Sequence, residues 1–405
     1  MTAAPDPATP APVKATGAAG ELLHFFRSNA RQYGMLVALV VAVAIFQVAT
    51  NGIMLKPLNV TNIFLQNGYI VLMALGMLLI IVVGHIDLSV GSVAAFTGAV
   101  AAVLMVNQHM DPIVASLVAL GIGALIGAWQ GFWVAYMAIP SFIVTLSGML
   151  LFRGLTLFML NGQPVGPFPG SFRAIASGFL PDPFGGDGLN LSSLILAGVL
   201  SALLVYIDFR GRREEHKYGF ESQPIYLFIA RNVGIVAGIM FLAFLMSQYE
   251  GLPNVLVLVL ALTGLYIFVT NRTVVGRRIY AVGGNAKAAM LSGVNSKRLV
   301  FLTFVNMGVL AALGGLVFAA RLNSATPKAG NGFELDVIAA AFVGGASAYG
   351  GVGTVLGAVI GALFLGVLNI GMGILSIGID YQQAIKALVL LGAVYFDVSS
   401  KRKAG

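Results

Sequence analysis

Long apolar runs recur along this chain at about 35–50, 63–84, 86–106, 113–135, 141–160, 191–208, 228–247, 254–270, 299–319, 335–350, 354–375 and 381–397. A helix that crosses a bilayer needs roughly 20 consecutive apolar residues. In lipid, the backbone N–H and C=O groups must be satisfied within the spanning element itself. The runs therefore predict an all-α integral membrane protein, a polytopic bundle of about 10–12 membrane helices. Only 9% of the residues are charged, against about 25% in an average soluble domain. Nothing between the runs is large enough to be a soluble domain.

The net charge of +8 would suggest nucleic acid in a soluble protein. Here the placement of the basic residues explains it better. Arg210, Arg212, Arg213 and Lys217 share one segment, Arg272, Arg277, Arg278, Lys287, Lys297 and Arg298 another, and Lys401, Arg402 and Lys403 the last. The proposed outside segments hold only Lys56, Arg173, Arg321 and Lys328, while Arg231 counts with the inside and Arg153 and Lys386 lie within or at the edge of spans. Cytoplasmic loops carry the excess of Lys and Arg, so both termini are expected in the cytoplasm and no nucleic-acid partner is expected. Residues 1–30, rich in Ala, Pro and Thr, read as a disordered cytoplasmic tail, and residues 401–405 as a second short tail.

Several chemistries are excluded. There is no cysteine, the four histidines lack metal-ligand spacing, and no HExxH or Ser/His/Asp order is present. No metal, cofactor or enzymatic activity is expected. No Gly-x-x-x-x-Gly-Lys-Ser/Thr loop occurs either, so any ATP-driven work must be done by another chain.

Four blocks carry polar or glycine chemistry. Gly84-His85-Ile86-Asp87-Leu88-Ser89-Val90-Gly91-Ser92 interrupts apolar sequence. It reads either as a polar loop between two spans or as a broken helix lining a route, with Asp87 as a cap and Ser89 and Ser92 on one face. Gly332-Phe333-Glu334-Leu335-Asp336 precedes an apolar run broken by Gly344-Gly345 and Gly350-Gly351. Acids are costly near a lipid core and glycine pairs loosen a helix, so this is the first candidate for a transport element. One of the two acids is expected to cap the helix and the other to meet a partner or pair with Arg321 or Lys328. Gly123, Gly127 and Gly131, like Gly353, Gly357 and Gly361, form small-residue ridges, either for packing within the chain or for a homodimer seam. Asn285 caps a predicted short helix over Ala286–Leu291 that Gly293 ends, either a solvated connector or a docking helix. Asn306 is a lone polar group in an apolar span. Trp129 and Trp133 lie four apart, placed for interfacial anchoring or for stacking on a sugar.

Together these blocks resemble the permease subunits of bacterial ATP-binding-cassette sugar importers of the ribose, xylose and arabinose type. The Gly-x-Ile-Asp-Leu-Ser-Val-Gly-Ser block, Pro140 to Gly154, the Gly-Arg-Arg-Ile-Tyr-Ala-x-Gly-Gly-Asn block and the Glu-Leu-Asp block with its paired glycines stand in that family's order, over about residues 35–400. The basic segment at 209–225 makes the chain most similar to the xylose-transporting members. His85 departs from the family, in which Gly or an acid is common. The resemblance implies one permease domain over residues 31–400, a homodimer in the bacterial inner membrane, a periplasmic sugar-binding protein at its outer face and a cytoplasmic ATPase subunit at its inner face. It implies that Gly284, Asn285, Ala288, Ala289, Ser292 and Gly293 couple to the ATPase. Asp87, Ser89, Ser92, Asn306, Glu334 and Asp336 are the expected route residues, chosen for polarity in an apolar context. D-xylose is the expected cargo. Ribose, arabinose, galactose or a branched-chain amino acid, or an ion-coupled mechanism, are the rivals.

Overall fold

A computed structural model describes residues 30–185, 188–219 and 224–402. The tails expected at 1–30 and 401–405 fall outside these residues, except that Ala30 begins the first described helix and Arg402 ends the last. Among the described residues there is no strand, only two isolated bridges, Val165 with Ala325 and Phe179 with Pro253.

Fifteen α-helices follow in order: α1 (Ala30–Ala49), α2 (Pro57–Val82), α3 (Val90–Ala102, continued by a π turn to Asn107), α4 (Pro112–Ala135), α5 (Ser141–Met159), α6 (Gly170–Ser177), α7 (Leu191–Lys217), α8 (Ile225–Ser247), α9 (Asn254–Arg272), α10 (Val274–Gly284), α11 (Ala286–Leu291), α12 (Ser296–Leu322), α13 (Phe333–Val343), α14 (Val355–Ile374) and α15 (Ile379–Arg402). Nine of these are long and apolar enough to cross a membrane. At 11 residues, α13 is too short to cross. The basic segment at 209–225, which its charges and position between two runs mark as an internal loop, is helical as far as Lys217. Arg, Glu and Lys are good helix formers, and Arg210 and Glu214 lie 3.9 Å apart at i,i+4.

The core is built on α2 and α12. Every residue of α2 from Asn67 to Val82 is buried, as expected of a helix that is apolar all round. Tyr69 stacks edge-on against Phe318 at 5.0 Å. Met73 meets Gly314 and Gly76 meets Met307 and Leu310. Ascending numbers on α2 meet descending numbers on α12, so the two helices are antiparallel.

Each of these helices begins a similar unit. After α2 come a non-helical link (83–89), then α3, α4 and α5. After α12 come a non-helical link (323–332), then α13, α14 and α15. The contacts correspond: α4 and α3 pack on α12, while α14 and α13 pack on α2. Likewise α3 packs on α5, and α13 on α15. Because α2 and α12 run in opposite directions, the two units form an inverted pair, an arrangement that many transporters use.

The glycine ridges serve this packing. A Cβ on Gly123 or Gly127 would overlap the carbonyl of Gly308 or Phe304 on α12. One on Gly357 or Gly361 would overlap the carbonyl of Gly344 or Ala340 at α13. Both ridges are used inside the chain, where small residues let helix backbones approach.

Candidate translocation junction and docking face

The helices α3 and α13 start against each other. A Cβ on Gly91, in the first turn of α3, would overlap the Gly330 carbonyl, and one on Gly330 would overlap the Gly91 carbonyl. Phe333, the first residue of α13, packs at 4.6 Å on Tyr69, which lies midway along α2. Both helices therefore begin near the middle of the bundle rather than at its surface. From there they diverge. Ala94 and Gly98 pack on Gly315 and then Ala319, so α3 runs parallel to α12. Ala340 and Gly344 meet Gly361 and Gly357, and Asn67 and Leu78 meet Gly366 and Gly353, so α13 runs parallel to α2. Two positive helix ends thus face the same small volume.

The polar groups around this junction fall into two kinds. Asp87, Ser89 and Ser92 are 3%, 0% and 1% exposed and bond among themselves. The Ser89 amide and hydroxyl donate to Asp87 Oδ1 at 2.8 and 2.6 Å, and Ser92 Oγ donates to the Ser89 carbonyl at 2.7 Å. Gln130 Nε2 on α4 donates to Ser89 Oγ at 2.7 Å. Asp87 therefore caps the link through Ser89 rather than through the first turn of α3, and the cluster ties the link to α4. Asp336 is likewise spoken for: its Oδ1 is 2.8 Å from Lys386 Nζ on α15. Its partner is neither Arg321 nor Lys328, because α13 starts deep in the bundle, where α15 passes. Asn306 lies elsewhere, accepting a hydrogen bond from Tyr266 on α9.

Glu334 is different. Its Oε2 is buried with no hydrogen-bond partner, and a Cβ on Gly91 would lie 2.5 Å from that oxygen. The carboxylate lies over the first turn of α3, at the positive end of that helix. Arg153 on α5 reaches the link just before α13: it donates from Nη1 to Asn331 Oδ1 at 2.8 Å, while its Nη2 is buried without a partner. In the sequence Arg153 is marked only by lying within or at the edge of the run at 141–160. Its 178-residue separation from Asn331 left no local signal.

The second face is formed by α10 and α11. Asn285 Oδ1 accepts from the Ala288 amide at 3.0 Å, and Gly293 takes a φ of +82°, so the short helix has the expected bounds. Gly284, Asn285, Ala288, Ser292 and Gly293 are exposed, whereas Ala289 is 6% exposed and turned inward. The large side chains on offer are Met290 and Leu291, 62% and 87% exposed. Just before this helix, at Gly283, the backbone is packed closely. A Cβ on Gly283 would overlap the Val82 carbonyl at the end of α2 and sit 2.7 Å from the Gly351 amide, itself bonded to Val82 at 2.8 Å. Tyr280 Oη donates to the Gly353 carbonyl at 2.8 Å. The short exposed helix is thus joined to the ends of both α2 and the α13–α14 link.

Among the described residues, no three His, Asp or Glu side chains gather as a metal site. Among the described residues, nine helices of spanning length and apolarity, one of which, α3, meets the short α13 mid-bundle, define a multi-pass membrane transporter. Residues 59–394 match the family described as branched-chain amino acid transport system / permease component. The chain is 36% identical to the xylose transport system permease protein XylH of Haemophilus influenzae, over 93% of this chain and 98% of that protein. It is 37% identical to XylH of Escherichia coli K12, over 93% of each, and 35% identical to the ribose import permease protein RbsC of the same strain, over 92% and 96%. No solved structure matches it. The chain belongs to this family of transport permeases.

Proposed function

We propose that this chain is the membrane permease subunit of an ATP-binding-cassette importer for a monosaccharide, D-xylose first. It works as a homodimer in the bacterial inner membrane with both termini in the cytoplasm. A periplasmic sugar-binding protein supplies the cargo and a separate cytoplasmic ATPase subunit supplies the energy. The cargo assignment leans on the xylose and ribose names of relatives that align along nearly the whole chain. The orientation leans on the basic residues of α10, α11 and the segment ending α7.

One observation carries the mechanism: the exposed Met290 and Leu291 sit on a capped helix whose root, Gly283, is in backbone contact with Val82 and Gly351. A neutral sugar has no charge on which a membrane potential can act, so the driving force must arrive through a partner. A cleft in the ATPase that grips Met290 and Leu291 would move α10 and α11 as the ATPase closes. Contact at Gly283 would pass that movement to the α2–α3 link and to the α13–α14 link together. The first leads to the start of α3 and the second to the far end of α13, whose start lies at the same junction, where the route is interrupted. Asp87, Ser89, Ser92 and Asp336 hold that junction together, while Glu334 faces the route. The route needs only weak contacts with the sugar, because tight binding there would trap it.

Reconstitution tests this reading. Liposomes holding the chain with its ATPase and binding protein should accumulate xylose only when ATP is present. Uphill xylose uptake by the chain alone, with no nucleotide, would overturn it in favour of an ion-coupled carrier.

A further inference from the structure

Within the membrane-spanning bundle, a charge is expensive unless it meets a partner or a water-filled route. Two charged side chains near the junction stand out against this rule. Asp336 and Lys386 neutralise each other at 2.8 Å. Arg153 and Glu334 stand on α5 and α13 with one buried polar atom each, Nη2 and Oε2, that has no partner. Both side chains are held in place. Asn331 fixes the guanidinium through Nη1, and the missing side chain at Gly91 leaves room for the carboxylate over the first turn of α3. A donor and an acceptor, both oriented and both unused, therefore sit at the point where α3 and α13 meet.

We propose that Arg153 and Glu334 form a hydroxyl-reading step on the sugar route. The guanidinium donates to one hydroxyl oxygen of a vicinal pair, and the neighbouring hydroxyl donates to the carboxylate. A hydroxyl both donates and accepts, so a neutral polyol satisfies the two groups at once, and charge-assisted hydrogen bonds are the strong kind. An anion would be opposed by Glu334 and a cation by Arg153. The step is brief by design: two hydrogen bonds offset the loss of water without building a deep well. This inference rests on the sugar reading given above and adds the residues that recognise the cargo inside the membrane.

The test uses the full complex in proteoliposomes, with binding protein loaded either with D-xylose or with a monodeoxy-xylose lacking one ring hydroxyl. Arg153→Gln and Glu334→Gln should each lower ATP-driven xylose uptake about tenfold or more, the loss expected for a charge-assisted hydrogen bond. They should also erase the preference for xylose over the deoxy sugar, which a general packing defect would leave in place. Arg153→Lys keeps the charge and loses the planar fork, so it should show a reduced preference in a complex that still assembles. Uptake by the variants within about twofold of the unmodified complex would overturn the inference alone. So would a preference that survives the loss of rate. Recovery of uptake in the exchanged pair Arg153→Glu with Glu334→Arg would overturn it in favour of a latch in which the two groups bridge each other. An unmodified complex that moves no sugar would overturn the sugar reading, and this step with it.

Discussion

Lys386 Nζ lies 2.8 Å from Asp336 Oδ1, joining the first turn of a half-length helix to the last long helix of the chain. Their side chains are 21% and 11% exposed, so the pair is screened little by water. Removing one partner strands a charge in the bundle. Lys386→Met should lower stability by about 3–5 kcal/mol, the cost typical of breaking a buried pair. The double substitution Lys386→Met with Asp336→Leu should recover most of that loss, because no charge is left behind. Thermal unfolding of the purified protein in detergent checks both. A single variant as stable as the parent would mean that the charges are hydrated in place.

Gly283 has no room for a side chain. Gly283→Ala should force α10 away from Val82 and Gly351, with an overpacking cost of about 1–3 kcal/mol. The exposed face of α11 is untouched, so the ATPase should still co-purify. Sugar uptake should fall while ATP hydrolysis continues, an uncoupled phenotype measured by running both assays on the same vesicles. Normal uptake would show that movement reaches the junction by another path.

The docking face is predicted to depend on Leu291. Leu291→Asp changes a residue that is 87% exposed, so the chain's own stability should shift by less than about 0.5 kcal/mol while ATPase co-purification is lost. Ala289→Arg should do the reverse of a clean docking variant. Ala289 is buried against the start of α12, so the arginine should reduce the yield of folded chain before docking is even tested. Comparing melting temperature and pull-down for the two variants separates the effects.

Much of this architecture could be read from local signals. The bounds of α11 followed from Asn285 and Gly293, since a cap and a left-handed glycine are short-range devices. The half-length of α13 was foreshadowed by Gly344-Gly345 and the two acids before it. Glycine at Gly123, Gly127 and Gly131 announced close backbone approach, although only the fold shows that the approach is to α12. What stayed hidden depended on distant pairs. Lys386 is 50 residues from Asp336 and Arg153 is 178 from Asn331, and no periodicity links them. Polarity in an apolar context singled out Asp87, Ser89, Ser92 and Glu334 alike. It could not separate a closed hydrogen-bond cluster from an oxygen left without a partner. In a six-residue helix such as α11 the periodicity is too brief to tell which face turns inward, so Ala289 could not be distinguished from Leu291.

The inverted relation between the unit begun by α2 and the unit begun by α12 has a consequence for the transport cycle. Two like pieces set head to tail need not be shaped identically at any instant, and swapping their shapes turns the whole assembly upside down. A mouth that gapes toward one side of the bilayer thereby carries the blueprint of a mouth toward the other. The return half of the cycle then calls for no new hinge, and Gly91 against Gly330 is one of the places where the two pieces touch.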